Sequence, residues 1–197
     1  MRIILTVLLA VVACAGQTTT NAKPGAEYGI QPNPERDPWQ KPALVISSLN
    51  FSTTETVVVI ESGYPYFAPR IAPLVKKVYA VNSDARAFQG PGKLPPSITT
   101  IVSTKTNPGI ANLKVDTVIV VDVLRQLSQR PLFYIGLLAG LKAGGRLVVI
   151  DRKLPPVFPS SEQLTDSDLE NELPAAGFAF QQQLTVLPYQ YFLVFKR

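Results

Sequence analysis

The strongest constraint on the fold is a series of short apolar runs that do not alternate with polar residues. Five of these runs, rich in Val, Ile and Thr, are residues 56–60, 77–81, 98–102, 115–121 and 146–150. Runs of this kind are typical of strands covered on both faces, as in a parallel sheet. Residues 178–187 and 189–195, which meet at Pro188, predict two final strands.

Helical segments separate several of these runs. We predict helices over residues 41–50, 131–142 and 167–176. Ser167 and Glu170 have capping-box spacing at the start of the last helix, and Gly144 and Gly145 are expected to stop the middle one. Strands that alternate with helices favour right-handed crossovers, so we expect an α/β fold with a doubly wound, Rossmann-like sheet.

Composition removes several classes of chemistry. The chain has no histidine and one cysteine, which excludes internal disulfides, zinc sites built from His and Cys, and catalytic Ser-His or Cys-His pairs. No metal site is expected. The net charge of +5 comes without a dense Lys/Arg block, which favours a solvated surface over a nucleic-acid interface.

The N-terminal segment has the features of a secretory signal. The apolar run from Ile3 to Ala13 is 11 residues long, whereas a membrane-spanning helix needs about 20. The run ends in Val11-Val12-Ala13-Cys14, which resembles a bacterial lipobox. The resemblance implies a signal peptide over residues 1–13 and lipidation of Cys14. A plain secretion signal with a chance cysteine is the alternative.

The lipobox resemblance implies a domain that is attached to a lipid anchor through a tether. Residues 14–38 are rich in Thr, Asn, Gly and Pro and predict a flexible tether, and residues 39–197 form the expected domain. We expect a bacterial envelope protein that faces the periplasm and contacts the membrane through its lipid. Ala15, where an Asp would signal inner-membrane retention, implies the outer membrane by resemblance to enterobacterial sorting.

Seven segments, taken in order, resemble a class I S-adenosylmethionine-dependent methyltransferase. They are residues 35–42, 65–67, 78–81, 115–122, 141–148, 175–178 and 187–195. The resemblance covers about Glu35 to Lys196. It implies a mostly parallel sheet of seven strands with an antiparallel last strand. It also implies that S-adenosylmethionine lies at the carboxyl ends of the first, second and fourth strands.

The cofactor loop departs from the family pattern, which is an acid near the end of the first strand followed by Gly-x-Gly-x-Gly. In the ungapped register, which we prefer, Val59 is at the acid position and Glu61, Gly63 and Pro65 are at the glycine positions. In a second register, Glu61 is the acid and Gly63 the first glycine. Both registers leave Pro65 at a glycine position, where it fixes φ and removes an N–H donor.

We therefore expect that the loop from Glu61 to Phe67 does not form an open cradle. Tyr64 and Tyr66 are bulky and amphipathic, so they could occupy the vacated pocket. Pro69 and Pro73 fall within the first helix that the family pattern implies, and each would cost a regular helix about 3 kcal/mol.

The candidate cofactor-binding residues are Gly63, Asn82, Asp84 and Asp122. Asn82 stands where the family has an acid for the ribose hydroxyls, and Asp84 could replace that acid or simply cap the short helix at residues 85–88. Asp122 follows the fourth strand. For a general base, Asp122 and Asp151 are the candidates by position, and a structural role is an equal alternative for each.

Two functions remain open from the sequence. The first is an active methyltransferase, whose small-molecule or protein methyl acceptor the sequence does not name. The second is a degenerate relative, or pseudoenzyme, that kept the fold as an envelope scaffold or binding protein. The altered loop and the exported location favour weakened or lost binding of S-adenosylmethionine.

Overall fold

The computed structural model describes residues 33, 35–90, 92–153 and 164–197. The predicted signal peptide, the lipidation site Cys14 and the tether as far as residue 32 lie outside the described residues, so their assignment stays a prediction. None of the described helices is long and apolar enough to cross a membrane.

The centre of the molecule is one sheet of seven strands. The strands are β1 (Thr56–Glu61), β2 (Lys77–Asn82), β3 (Ile98–Val102), β4 (Val115–Val121), β5 (Leu141–Arg152), β6 (Ala179–Gln183) and β7 (Gln190–Lys196). Their order is β3-β2-β1-β4-β5-β7-β6. The first five strands pair in parallel, and β7 runs antiparallel to both of its neighbours. The doubly wound sheet with an antiparallel last strand is therefore confirmed.

Five α-helices are described. They are α1 (Asp37–Gln40), α2 (Pro42–Leu49), α3 (Ala68–Ile71), α4 (Arg130–Gly140) and α5 (Asp166–Ala175). Short 3-10 helices cover Ala72–Leu74, Ala85–Gln89 and Leu124–Gln126.

The core has two layers, one on each face of the sheet, and β4 supplies side chains to both. Val118 and Val120 belong to the layer that packs against α4 and α5. Ile119 and Val121 belong to the layer on the α2 and α3 side. This alternation follows from the period of two in a strand, and all four residues are buried as the sequence predicts.

Two predicted helix boundaries are wrong. Helix α4 ends at Gly140, two residues before the predicted end at Lys142, because Leu141 already has extended dihedral angles and begins β5. Helix α5 begins one residue earlier than predicted. Its capping box joins Thr165 and Asp168, since the Thr165 side chain accepts the Asp168 N–H and the Asp168 carboxylate accepts the Thr165 N–H.

The end of the predicted tether is part of the folded domain. Helix α1 begins at Asp37. The Asn33 side chain accepts the N–H groups of Glu35 and Arg36, and the Asp37 carboxylate accepts the Asn33 N–H. These bonds order the start of the lead-in, which we define as residues 33 and 35–40.

Candidate functional site

A cavity of about 220 Å³ lies at the carboxyl ends of β1 to β4. Its polar lining comes mostly from the loops that follow these strands, and its apolar floor comes from Ile60, Val123, Leu127 and Phe133. Gly63, Asn82 and Asp84 line this cavity, so the structure brings three of the four candidate cofactor-binding residues together. The fourth, Asp122, is not part of the lining.

The Glu61 side chain joins the start of the cofactor loop to its end by hydrogen bonds. It is the last residue of β1 and is only 3% exposed. Its carboxylate accepts the backbone N–H of Tyr66 at 2.8 Å, of Phe67 at 3.0 Å and of Ala68 at 3.0 Å. Burial raises the pKa of the Glu61 carboxyl, and these three N–H groups oppose that rise. The free N–H groups at the start of α3 are therefore bound to the chain's own carboxylate.

The position of Glu61 favours the second register over the one we prefer from the sequence. Val59 lies in the middle of β1, paired with Ala80 and Ile119, and it is fully buried. This position is not the end of the strand, which favours the second register. In that register Glu61 is at the acid position, and Gly63, with φ of +77°, takes the conformation that a first glycine allows.

The helix after the loop is short, for the reason that its prolines predict. Helix α3 has four residues, with Pro69 in its first turn, where the missing N–H costs little. Pro73 then lies in a 3-10 turn over Ala72–Leu74 instead of continuing the α-helix.

Asn82 fastens the loop to the end of β2. Its side-chain amide nitrogen donates to the carbonyl oxygens of Glu61 at 2.6 Å and Gly63 at 2.9 Å. Its side-chain oxygen accepts the N–H of Asp84 at 2.8 Å. Both amide hydrogens of Asn82 are thus used within the protein.

Asp84 has the capping role that the sequence left as one alternative. Its carboxylate accepts the backbone N–H of Arg86 and pairs with the Arg86 guanidinium at 2.8 Å. The hydrogen bonds from Arg86 hold the pKa of Asp84 below its usual value. Asp84 also lines the cavity. Its carboxylate is already paired there with the Arg86 guanidinium.

Tyr64 and Tyr66 do not fill the cavity, which corrects the expectation from the sequence. The Tyr64 hydroxyl donates to the carbonyl oxygen of Gly92 at 3.0 Å, on the connection between β2 and β3. The buried Tyr66 donates to the Asp37 carboxylate in the lead-in. The two side chains therefore tie the ends of the loop to neighbouring segments outside the cavity.

Two guanidinium groups also hold Tyr66. Arg36 and Arg70 each lie 4.0 Å from the centre of its ring. Arg70 is 3.6 Å from the Asp37 carboxylate as well. Sequence reasoning missed Arg36, Asp37 and Arg70. The first two lie within the family-like segment 35–42, which could have directed attention to them.

Asp122 faces the β5 and β7 side of the sheet. Its φ of +54° turns the chain after β4. Its carboxylate accepts a hydrogen bond from Gln190 at 3.1 Å and lies 3.7 Å from Arg152. Burial raises the pKa of Asp122, and Arg152 opposes the rise. These contacts fit a structural role at the junction of β4, β5 and β7.

Asp151, the second candidate base, is buried at the end of β5. One carboxylate oxygen accepts the Arg152 N–H at 2.8 Å and lies 3.8 Å from Arg125. The other oxygen has no hydrogen-bond partner among the described residues. Burial, together with the nearby charge of Asp122, raises the pKa of Asp151 to about 6. A carboxyl with this pKa could exchange a proton near neutral pH, but only 1% of the residue is exposed.

The fold of this chain is that of solved methyltransferases. An S-adenosylmethionine-dependent methyltransferase from Aquifex aeolicus superimposes with a TM-score of 0.71 at 17% identity, over 83% of this chain and 93% of that one. A second, from Mesorhizobium loti, gives a TM-score of 0.64 at 10% identity, over 78% and 96%. The chain therefore has the Rossmann-like class I methyltransferase fold, as the sequence predicts.

The same fold also occurs in a protein named for other chemistry. The cyclase SpnF superimposes with a TM-score of 0.61 at 15% identity, over 74% of this chain and 59% of that one. No protein-family model matches the sequence, and no curated protein matches it. At these identities the likeness establishes the fold, and the site must decide the function.

Proposed function

We propose that this chain is a methyltransferase-like envelope lipoprotein in which binding of S-adenosylmethionine is weakened or lost. The observation that carries the proposal is the buried Glu61 carboxylate, which accepts the three backbone N–H groups of residues 66–68. A cofactor carboxylate would have to compete with this internal carboxylate for the same donors, against its negative charge.

The rest of the site supports the same conclusion. The cavity of about 220 Å³ is below the roughly 300–1,000 Å³ that is usual for ligands of drug size. The Asn82 side chain donates both of its amide hydrogens to carbonyl oxygens of the loop, and the Asp84 carboxylate is paired with Arg86. These residues therefore do not fit the intact cofactor.

A binding or scaffold role in the envelope follows from this proposal. Buried apolar residues pack on both faces of the sheet, while Asn82 and Glu61 bind the loop itself. The protein is then a pseudoenzyme that has the methyltransferase fold without its cofactor.

Calorimetry with S-adenosylhomocysteine tests the loss of cofactor binding. We expect no saturable heat up to millimolar ligand, and no thermal shift, whereas ligand at 100 times Kd would add about 2.7 kcal/mol of stability. A methyltransferase of the same fold is the positive control. Saturable binding at micromolar concentration would show that the protein is a working methyltransferase with an unusual cofactor grip.

The lipid anchor is tested separately. Cys14→Ser removes the thiol that the lipobox resemblance assigns to acylation, so the variant should remain unprocessed and lose incorporation of a labelled fatty acid. Equal processing and equal labelling of the two proteins would contradict the lipoprotein assignment. Sedimentation with outer-membrane fractions tests the location.

A further inference from the structure

We propose that the outer edge of β3 is a docking edge for an extended, acidic segment of a partner protein, which adds to the sheet as an eighth strand. This proposal goes beyond the loss of cofactor binding and requires neither a cofactor nor methyl transfer.

Within the described residues, the connections that flank β3 leave it without a covering α-helix. Strand β3 is the terminal strand of the sheet, with β2 as its neighbour. Among the described residues, neither connection that flanks β3 contains an α-helix. The one before it has the 3-10 turn over Ala85–Gln89, and the one after it has only bends and turns. As a result Thr99 and Thr100 are exposed, and Val102 is 56% exposed.

Within its own five residues, β3 has no charge, proline or bulge that would discourage another strand from pairing. Natural edge strands carry charges, prolines or bulges that discourage another strand from adding. The opposite edge, β6, has an irregularity between Phe180 and Gln182. By contrast, β3 pairs with β2 in continuous register, and all five of its residues are β-branched and uncharged. Such a strand favours the addition of an extended peptide.

The charge around the edge identifies the kind of partner. The sequence contains no Asp or Glu between Asp84 and Asp116, while four basic residues lie in that interval, namely Arg86, Lys93, Lys105 and Lys114. Arg86 pairs with Asp84, and Lys114 donates to the carbonyl oxygen of Ala139. Lys93 and Lys105, which flank the two ends of β3, are exposed, and neither forms a salt bridge within the described part of the chain.

These charges favour a foreign acidic strand over a second copy of the chain. In a symmetric pairing of two β3 edges, Lys93 and Lys105 of each copy would face the same positive residues. An acidic peptide would instead place carboxylates near both lysines. Its central residues would hydrogen-bond along β3 and pack against Val102, which shares one face of the strand with Thr100.

Fluorescence anisotropy with the full mature protein in detergent tests the proposal. The probe is a labelled nonapeptide with alternating Thr and Val in its centre and two Glu residues at each end. We expect saturable binding that weakens with salt. A peptide with Lys in place of Glu, and one with N-methylated central residues that cannot complete the backbone ladder, should not bind.

Matched charge reversals locate the binding. Lys93→Glu with Lys105→Glu should lower the affinity by about tenfold or more, which corresponds to about 1.4 kcal/mol. Lys153→Glu with Lys196→Glu makes the same change in net charge away from β3 and should leave the affinity unchanged. Val102→Glu should also weaken binding. All variants should keep the wild-type circular dichroism, because each substituted side chain is exposed.

Three results would overturn the proposal. They are no binding of the acidic peptide, equal binding of the N-methylated peptide, and equal loss of affinity in the two double variants. Concentration-dependent dimerisation that Val102→Glu abolishes, without peptide binding, would identify the edge as a contact between copies instead.

Discussion

At the residue scale, Glu61 decides what the loop can do. From the sequence, Glu61 can be interpreted as a replaced glycine or as a shifted acid, and its place at the end of β1 favours the second interpretation. The strand end could be predicted within one residue. The direction of the side chain could not, because it depends on where the N–H groups of residues 66–68 lie after Pro65 has fixed the turn.

Glu61→Ala should destabilise the protein by about 3 kcal/mol or more, because it leaves three buried N–H groups without their acceptor. Urea unfolding measures this. Ser62→Ala is the matched control, since Ser62 is exposed, and it should change the stability by less than about 0.5 kcal/mol. A loss below about 1 kcal/mol for Glu61→Ala would mean that the loop does not depend on this carboxylate.

Asp151 predicts a specific pH dependence. Its folded-state pKa of about 6 exceeds the ordinary value of 3.8, so the folded protein binds this proton more tightly than the unfolded chain. The contribution of Asp151 to the free energy of unfolding therefore falls as the pH rises from about 4 to about 6, by up to about 3 kcal/mol.

Asp151→Asn cannot titrate, so it isolates this effect. The variant should match the wild type near pH 4 and be the more stable of the two near pH 7, as measured by urea unfolding across the range. Parallel pH profiles for the two proteins would show that the carboxyl is not held at a raised pKa.

At the scale of elements, the strands were predictable and the helix ends were not. Unalternating runs located β1 to β4 to within a residue, because strands covered on both faces must be apolar throughout. The end of α4 was missed because Gly144 and Gly145 look like a helix stop, whereas they lie within β5, where Gly144 has φ of +74°. A pair of glycines in the sequence does not show whether it ends a helix or lies within a strand.

The start of α5 offers a direct test of the corrected cap. Thr165→Ala removes the hydroxyl that accepts the Asp168 N–H, and it should cost about 1 kcal/mol in urea unfolding. Ser167→Ala is the matched control, because Ser167 lies one residue inside the helix and should have little effect. The reverse order of the two losses would favour the cap that the sequence predicts.

At the scale of the whole molecule, the order of family-like segments was enough to predict the sheet and its antiparallel last strand. It also located the cavity at the carboxyl ends of the parallel strands, with Gly63, Asn82 and Asp84 in its lining. The clamp of Arg36, Asp37 and Arg70 around Tyr66 could not be predicted, because it joins a segment before the sheet to a loop within it. The chain thus has the methyltransferase fold, while its own side chains hold the loop from Glu61 to Phe67.

The most direct test of this account is an NMR titration of the isotope-labelled mature protein with S-adenosylhomocysteine, followed at the backbone amides of Tyr66, Phe67 and Ala68. We expect slow hydrogen exchange at these amides and no saturating shift up to millimolar ligand, because the Glu61 carboxylate already accepts hydrogen bonds from all three. Saturating shifts at these three amides, together with shifts at Asn82 and Asp84, would contradict it.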